Sequence, residues 1–437
     1  MAKKAELLKK IEDRSAVCAV IGLGYVGLPL AVELANAGFS VRGVDVDSEK
    51  AGMIGKGESY IPDVSGENLR KAVKSGRLTA GGDYSILVEC DTVNICVPTP
   101  LRKTRDPDIS FIVAALEEIK KYVHPGMLIV LESTSYPGTT EEIVVSELTG
   151  SKLQVGKDFF VAFSPERVDP GNPVYHTGNI PKVVGGVTTE CTEVAAALYG
   201  HVVEEIHAVS STRVAEMIKL LENTFRSVNI GLVNEIALMC NQMGINVWEV
   251  IEGAATKPFG FMPFFPGPGL GGHCIPIDPF YLSWKARSVG FEARFIELAG
   301  QVNSYMPLHV VGKAMDALNA AGKSVSGSKV MILGVAYKKN IDDTRESPAL
   351  DIISKLNVKG AEIVFADPYV DELAVEGIDS SIEKVELNKA TLSEADLVVI
   401  IADHDAFDYE LVLKHAPLIL DTRNALKGAG GDRVWSI

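Results

Sequence analysis

The feature that most constrains this chain is a glycine turn set between an apolar run and an apolar helix. Residues 16–21, Ala-Val-Cys-Ala-Val-Ile, have the pattern of a buried strand and pass directly into Gly22-Leu-Gly24-Tyr-Val-Gly27, with a helical stretch over 28–37. That order brings backbone N–H groups and a helix N-terminus to a pyrophosphate, with glycine where a side chain would collide. The next strand, 40–45, ends in Asp45, 23 residues beyond Gly22. An acid at this spacing holds a ribose 2′-hydroxyl and repels a 2′-phosphate. The pattern predicts a domain that takes NAD rather than NADP on Gly22, Gly24, Gly27 and Asp45. The alternative is a generic α/β turn with a capping aspartate.

Strands over 92–97 and 127–131, with a helix over 109–122 between them, continue a parallel sheet. Thr99 and Ser133-Thr134 then fall at carboxyl ends of strands, where such a sheet binds ligand, although turns and helix caps use the same residue types. A strand over 159–163 delivers Ser164-Pro-Glu166-Arg-Val-Asp. Glu166 therefore emerges at a strand end, as a carboxylate that orders water or as an ordinary loop glutamate.

From 210 to 244 the apolar period changes to three and four. Val214, Met217, Ile218, Leu221, Phe225, Val228, Leu232, Ile236 and Met239 describe one helix of about thirty residues whose stripe must be covered, which predicts a dimer built on this region. On another face Lys219 and Asn223 stand one turn apart.

The stretch 266–281, PGPGLGGHCIPIDPFY, is too rich in glycine and proline for a helix or a central strand and reads as an irregular loop that lets a ligand come close. It carries Cys274, preceded by His273 and followed by Asp278. Four of the other five cysteines, 18, 90, 96 and 240, lie in or beside apolar runs and Cys191 in a helix, as packing residues do. On composition alone Cys274 reads equally as a nucleophile or as a buried loop cysteine.

Helices over 280–286 and 291–305 follow, and the α/β rhythm then returns with strands over 329–333, 362–366, 397–401 and 418–420. Here one glycine, Gly334, stands where the first domain has three, so this half predicts a ligand other than a second dinucleotide. Lys338, Arg345 and Arg423, at or just after strand ends, suit a phosphate or pyrophosphate, while Lys339 reads as surface charge. The expected architecture is α/β: two Rossmann-like doubly wound domains joined by a long central helix and a helical middle domain, with boundaries at 1–209, 210–319 and 320–437.

A net charge of −15 argues against a nucleic-acid partner. No CxxC or His/Cys ligand spacing is present, so no metal site is expected. No leader pattern and no apolar run of ~18 residues occurs, so a cytoplasmic protein without a membrane span is expected. Residues 1–15 read as an amphipathic surface helix.

Taken together, GLGYVGLPLA, STSYPGT, FSPERVDPGN, Lys219 with Asn223, GGHCIPIDPFYL and KKNIDDTRESP resemble the UDP-sugar 6-dehydrogenases, the nucleotide-sugar dehydrogenase family. The versions SPERV and GGHCIPIDPFYLSWKA look most like the bacterial branch acting on UDP-N-acetylglucosamine. The resemblance implies oxidation of C6 of a UDP-sugar to a carboxylate with two NAD and no metal, an activity associated with surface polysaccharide synthesis. It implies that Lys219 and an ordered water support deprotonation of the 6-hydroxyl, and that Cys274 captures the aldehyde as a thiohemiacetal and passes through a thioester. Lys219 and Asn223 would stabilise oxyanions; Asp278, Thr134 and Glu166 would orient the water.

By the same resemblance Asp45 and Lys50 hold the adenosine ribose, Thr99 and Thr134 line the nicotinamide, and Arg345 approaches the cofactor. Glu166, Arg167, Val168, Lys219, Asn223, Gly269, Gly271, Tyr337, Lys338 and Arg423 would meet the UDP-sugar, in a homodimer or higher homo-oligomer. Residues 253–272 contain one basic residue, Lys257, in the segment where UDP-glucose enzymes bring an arginine from the neighbouring subunit. UDP-glucose and the galacto and manno N-acetyl epimers are alternative substrates. A single-step NAD dehydrogenase, which has no use for Cys274, and a silent nucleotide-sugar sensor are alternative functions.

Overall fold

A computed structural model of the chain describes all residues other than Met1, Pro62, 103–105, 150–152, Pro170, Gly171, Pro173 and His273. It divides into two compact units, Met1–Glu222 with Phe280–Phe291, and Asn223–Pro279 with Glu292–Ile437.

The first unit is built on eight strands: β1 (Val17–Ile21), β2 (Ser40–Val44), β3 (Leu78–Gly81), β4 (Thr92–Ile95), β5 (Leu128–Leu131), β6 (Phe160–Phe163), β7 (Lys182–Gly186) and β8 (Ile206–Val209). Their order across the sheet is β3-β2-β1-β4-β5-β6-β7-β8. Every residue of β4, β5 and β6 is buried, as expected of parallel strands covered on both faces. Ile21 pairs with Val44 and with Ile95, so the turns after β1, β2 and β4 open at one edge. β1, β2, β4, β5 and β6 are the expected strands, whereas β3 and β8 are not among them. β7 is not among the expected strands, and it runs antiparallel to β6. Among the described residues of 164–181 there is no helix, and the antiparallel pairing returns the chain from the edge at which it left. Gly185 and Gly186 hide this strand in the sequence. A Cβ at Gly185 would lie 2.2 Å from the Ser211 carbonyl oxygen, and one at Gly186 2.3 Å from the Thr192 amide. Close backbone approach, and not a chain break, is why glycine stands there.

The helix Thr212–Met243 has the expected length. Its stripe is only half covered within the chain: Val214, Met217, Leu221, Phe225, Leu232, Met239 and Met243 are exposed, while Ile218, Val228 and Ile236 are half-buried.

The second unit contains β9 (Lys329–Leu333), β10 (Glu362–Ala366), β11 (Glu383–Lys384), β12 (Leu397–Ile400), β13 (Ile419–Asp421) and β14 (Val434–Ser436), in the order β11-β10-β9-β12-β13-β14 and parallel throughout. The helix expected to end at 305 runs from Arg294 to Ala320, with Pro307 inside it. Met306, Val310, Val311, Ala314 and Leu318 of this helix pack on Val330, Ile332 and Val399. That burial outweighs the hydrogen bond that the proline forfeits.

Candidate active site

In the first unit the glycine turn is shaped by contact. Gly22 has φ +85°, and a Cβ there would lie 2.7 Å from the Cys96 carbonyl oxygen; at Gly27 it would lie 1.8 Å from that of Gly22, whereas Gly24 faces open space. Asp45 is buried and works from below: Oδ2 accepts from the Leu23 amide at 2.7 Å and Oδ1 from that of Asp47 at 2.9 Å. Each oxygen keeps a second lone pair, which suits a ribose hydroxyl. Lys50, on the helix Ser48–Lys56, has its ammonium 3.6 Å from Asp47 Oδ2. The carbonyl of Thr99 accepts from the Tyr281 hydroxyl at 3.0 Å. Beside the half-buried Thr134, the Ser133 hydroxyl donates to the Val97 carbonyl at 2.7 Å. The open position at Gly24, the two close approaches and the half-engaged acid fit a dinucleotide.

Glu166 sits where the strand end predicts. Its Oε1 accepts from the amides of Arg167 and Val168 at 2.7 and 2.8 Å. Arg167, expected at the substrate, is engaged within its own unit: Nη2 lies 2.6 Å from Glu222 Oε1, and Nη1 donates to the Pro181 carbonyl. Lys219 is 7 % exposed. Three residues before it stands Glu216, which the sequence reading passed over. Its carboxylate accepts from the Gly138 amide and from the amide and hydroxyl of Thr140, tying the STSYPGT turn to the long helix. Burial raises Glu216 to about 7, against the opposing pull of those hydrogen bonds. The available signal was a glutamate one turn before Lys219 on the same helix.

In the second unit the cysteine loop lies against the loops at the carboxyl ends of β9 and β13. The Gly267 amide donates to Asn234 Oδ1 at 3.0 Å, and a Cβ on Gly267 would lie 2.5 Å from Arg423 Nη1. At Gly271 a Cβ would lie 2.5 Å from Tyr337 Cβ, and at Gly272, φ +85°, 2.8 Å from the Tyr337 ring. Gly269, φ +143°, is crowded by Pro348 and Pro307. The Gly272 amide donates to the Arg345 carbonyl at 3.2 Å. The loop's glycines thus bring Tyr337, Arg345 and Arg423 to it, and Lys338 follows as a half-buried residue. The Arg345 guanidinium is forked onto Asp343, with Nε 2.8 Å from Oδ1. Lys339 is exposed and paired with Asp405 at 3.1 Å.

Cys274 is exposed, while the other five cysteines are buried. Burial pushes the thiols of Cys18 and Cys90 up to about 12, which makes them poor nucleophiles. The Cys274 carbonyl accepts from the amides of Ile277 and Asp278 at 3.1 and 2.8 Å, starting the helix Asp278–Ser288. Asp278 is buried and accepts from Asn223 Nδ2. His273 lies outside the described residues. The structure thus joins Asn223, Cys274 and Asp278 in one unit and places Lys219, Thr134 and Glu166 in the other. Among the described residues no helix is long and apolar enough to cross a membrane, and no cluster of His, Cys, Asp or Glu could hold a metal ion.

Comparison with known proteins gives this division into cofactor and sugar halves a family. Residues 16–203, 213–305 and 331–428 match, in turn, the NAD binding, central and UDP binding domains of the UDP-glucose/GDP-mannose dehydrogenase family. A UDP-N-acetyl-D-mannosamine dehydrogenase from Pyrococcus horikoshii is 37% identical over 419 residues, covering 94% of this chain and 96% of that protein. A UDP-N-acetyl-D-glucosamine 6-dehydrogenase from Pseudomonas aeruginosa is 37% identical over 354 residues, covering 80% of this chain and 82% of its own. A solved UDP-D-ManNAc dehydrogenase from Pyrococcus horikoshii superposes with a TM-score of 0.88 at 34% identity, over 96% of this chain and 99% of that one. With its glycine turn, ribose acid and cysteine loop carried on matching domains, the chain belongs to the UDP-glucose/GDP-mannose dehydrogenase family and is an NAD-dependent nucleotide-sugar dehydrogenase.

Proposed function

We propose that the protein oxidises C6 of a UDP-N-acetylhexosamine to the carboxylate, in two steps joined by a covalent bond to Cys274. The observation that carries this reading is the isolation of Cys274, the exposed thiol of six, at the end of a glycine loop drawn against Tyr337, Arg345 and Arg423. An accessible thiol at this loop suits a four-electron oxidation. The aldehyde left by the first step must become tetrahedral before it can lose a second hydride, and a thiohemiacetal meets that need while preventing escape.

NAD, held by Gly22, Gly24, Gly27, Asp45 and Lys50, supplies the electron acceptor, one per two-electron step. Lys219 and a water aid removal of the 6-hydroxyl proton. The Cys274 sulfur adds to the aldehyde carbon, whose oxygen takes a proton. Loss of hydride from that carbon leaves a thioester, and water held by Asp278 and Glu166 hydrolyses it, releasing carboxylate and free thiol. One alcohol, two NAD⁺ and one water become one carboxylate, two NADH and three protons. Lys219 and Asn223 stabilise the oxyanions that form on the way. Tyr337, Lys338 and Arg423 take the UDP-sugar.

Motif versions around Glu166 and Cys274 favour UDP-N-acetylglucosamine. The manno epimer is the second reading, which the Pyrococcus relative favours. The uncovered stripe on Thr212–Met243 favours self-association. The experiment is NADH formed per sugar consumed, on UDP-N-acetylglucosamine, its galacto and manno epimers and UDP-glucose. The expected ratio is two, with one preferred sugar. A ratio of one would remove the covalent step. Cys274→Ser should abolish acid formation and leave UDP-sugar affinity within a few-fold in a binding titration.

A further inference from the structure

Lys182 opens β7 with its side chain only 5% exposed, an arrangement that needs a reason because burying an ammonium is costly. It stands between two carboxylates. Its Nζ is 2.9 Å from Oε2 of Glu132, whose side chain is fully buried, and 3.7 Å from Oε2 of Glu166, whose side chain is 16% exposed. Glu132, directly after β5, is fixed on its other side. Its Oε1 accepts from the Tyr199 hydroxyl at 2.5 Å and from Asn94 Nδ2 at 3.0 Å, and both donors are buried. The ammonium also lies 4.9 Å from the centre of the Tyr199 ring.

Glu132 and Lys182 alone would make a closed buried pair. Glu166 opens it, because it belongs to the loop leaving the carboxyl end of β6. With Oε1 taken by the amides of Arg167 and Val168, its Oε2 is the oxygen that turns toward Lys182. The neighbouring Arg167 is engaged with Glu222 and the Pro181 carbonyl. Cys96 and Tyr199 complete the ionisable surroundings, and burial raises both well above their usual values, so they stay neutral. Burial works against the charge on Lys182, but Glu132 and Glu166 together outweigh it and raise its pKa. Two carboxylates therefore share one cation, and Glu166 is the one facing solvent.

We propose that Lys182, anchored by the buried Glu132–Tyr199–Asn94 cluster, is a positioning residue that fixes the orientation of the Glu166 carboxylate. The proposal rests on the role of Glu166 given above, as the group that holds the hydrolytic water. Lys182 touches no reacting atom in this scheme; it acts through Glu166. Glu132 serves Lys182 in turn, and competes with Glu166 for the same charge.

That competition gives the test two opposite signs. Using the full chain, the pH profile of kcat is measured for wild type, Lys182→Met, Lys182→Arg, Glu132→Gln and Glu166→Gln, with KM for sugar and NAD and a thermal melt for each. Lys182→Met should lower kcat about tenfold and move the acid limb up by about one pH unit, with both KM values within twofold. Lys182→Arg should return the limb toward wild type. Glu132→Gln should move it down, because Lys182 then serves Glu166 alone; a merely structural cluster would not move it in opposite directions. If Lys182→Met does not fold, Glu132→Gln/Lys182→Met removes the stranded carboxylate and should show the same upward shift. A folded Lys182 variant with an unmoved acid limb overturns the positioning role alone. Persistence of the limb in Glu166→Gln overturns the reading of Glu166, and the positioning role with it.

Discussion

Both sheets start from a strand that ends in a left-handed glycine, Gly22 at φ +85° and Gly334 at φ +76°, and in both the neighbouring strand's loop forbids a Cβ. The obstructing atom is the Cys96 carbonyl oxygen at 2.7 Å in one and that of Ala402 at 2.3 Å in the other. In both, the acid after the second strand supports the turn: the Leu23 amide donates to Asp45 and the Val335 amide to Asp367, each at 2.7 Å. The units then part. Gly24 and Gly27 have Ala336 and Lys339 as their counterparts. Asp367 is further occupied by His404, whose Nε2 lies 3.0 Å from Oδ2 while its Nδ1 accepts from the Asn340 amide. That second bond assigns the ring proton to Nε2, pointing at Asp367. The frame is shared. What separates a dinucleotide site from its sibling is two small residues and one plugged acid.

Breaking the plug should have the largest effect. Asp367→Ala removes, in a site where both side chains are fully buried, the acceptor of His404 Nε2 and of the Val335, Tyr369 and Val370 amides, and should cost roughly 4 kcal/mol of stability, read by denaturant unfolding, without changing NAD affinity. Loss of NAD affinity instead would mean that the second unit supports the first one's cofactor.

One buried carboxylate in each unit, Asp367 in the second and Glu216 in the first, also responds differently to burial. Burial alone would raise Asp367, but His404 and the amides of Tyr369 and Val335 more than offset it and hold it below its usual value. Glu216 is held by the Gly138 and Thr140 amides and the Thr140 hydroxyl, and among the described residues no ion pair offsets its burial, which raises it from 4.5 to about 7. A raised folded-state value means stability that is present below pH 4.5 and lost as pH climbs through about 7, on the order of 3 kcal/mol if the group acts alone. Glu216→Gln should flatten that decline in Tm across pH 5 to 8. An unchanged slope would place the proton elsewhere.

Smaller effects sharpen the distinction between the glycine turns. Gly27→Ala should weaken NAD about 100-fold, the ~2.7 kcal/mol of a displaced turn, whereas its counterpart Lys339→Ala should change neither binding nor stability by more than about 0.5 kcal/mol. Asp45→Asn should weaken NAD about tenfold and leave UDP-sugar affinity alone. Equal weakening of both ligands would point to general damage to the fold.

In the first sheet β1, β2, β4, β5 and β6 were legible because strand, glycine turn, helix and acid come in one order that few other structures use, whereas the four-residue β3, with its half-exposed Ala80 and Gly81, has no apolar run to mark it. The cysteine loop was legible because a lone polar cysteine among prolines and glycines has little to pack on. β7 was hidden by Gly185 and Gly186, whose purpose appears only when Ser211 and Thr192 are seen pressing on them. The end of the helix Arg294–Ala320 was misplaced because Pro307 is a local signal, and its burial is not. Glu132, Lys182, Glu216 and His404 were passed over for a related reason. Each is an ordinary charged or polar residue until a partner from a distant segment, between 37 and 78 positions away, is folded against it.

The separation of one outward thiol from five sheltered ones has a consequence for damage. Oxidants convert thiolates stepwise to sulfenic and then irreversible acids, choosing them by accessibility. Here the accessible sulfur and the proposed nucleophile are the same atom, so peroxide would stop turnover while the fold stays intact. The first step of that loss is one a cellular thiol can reverse.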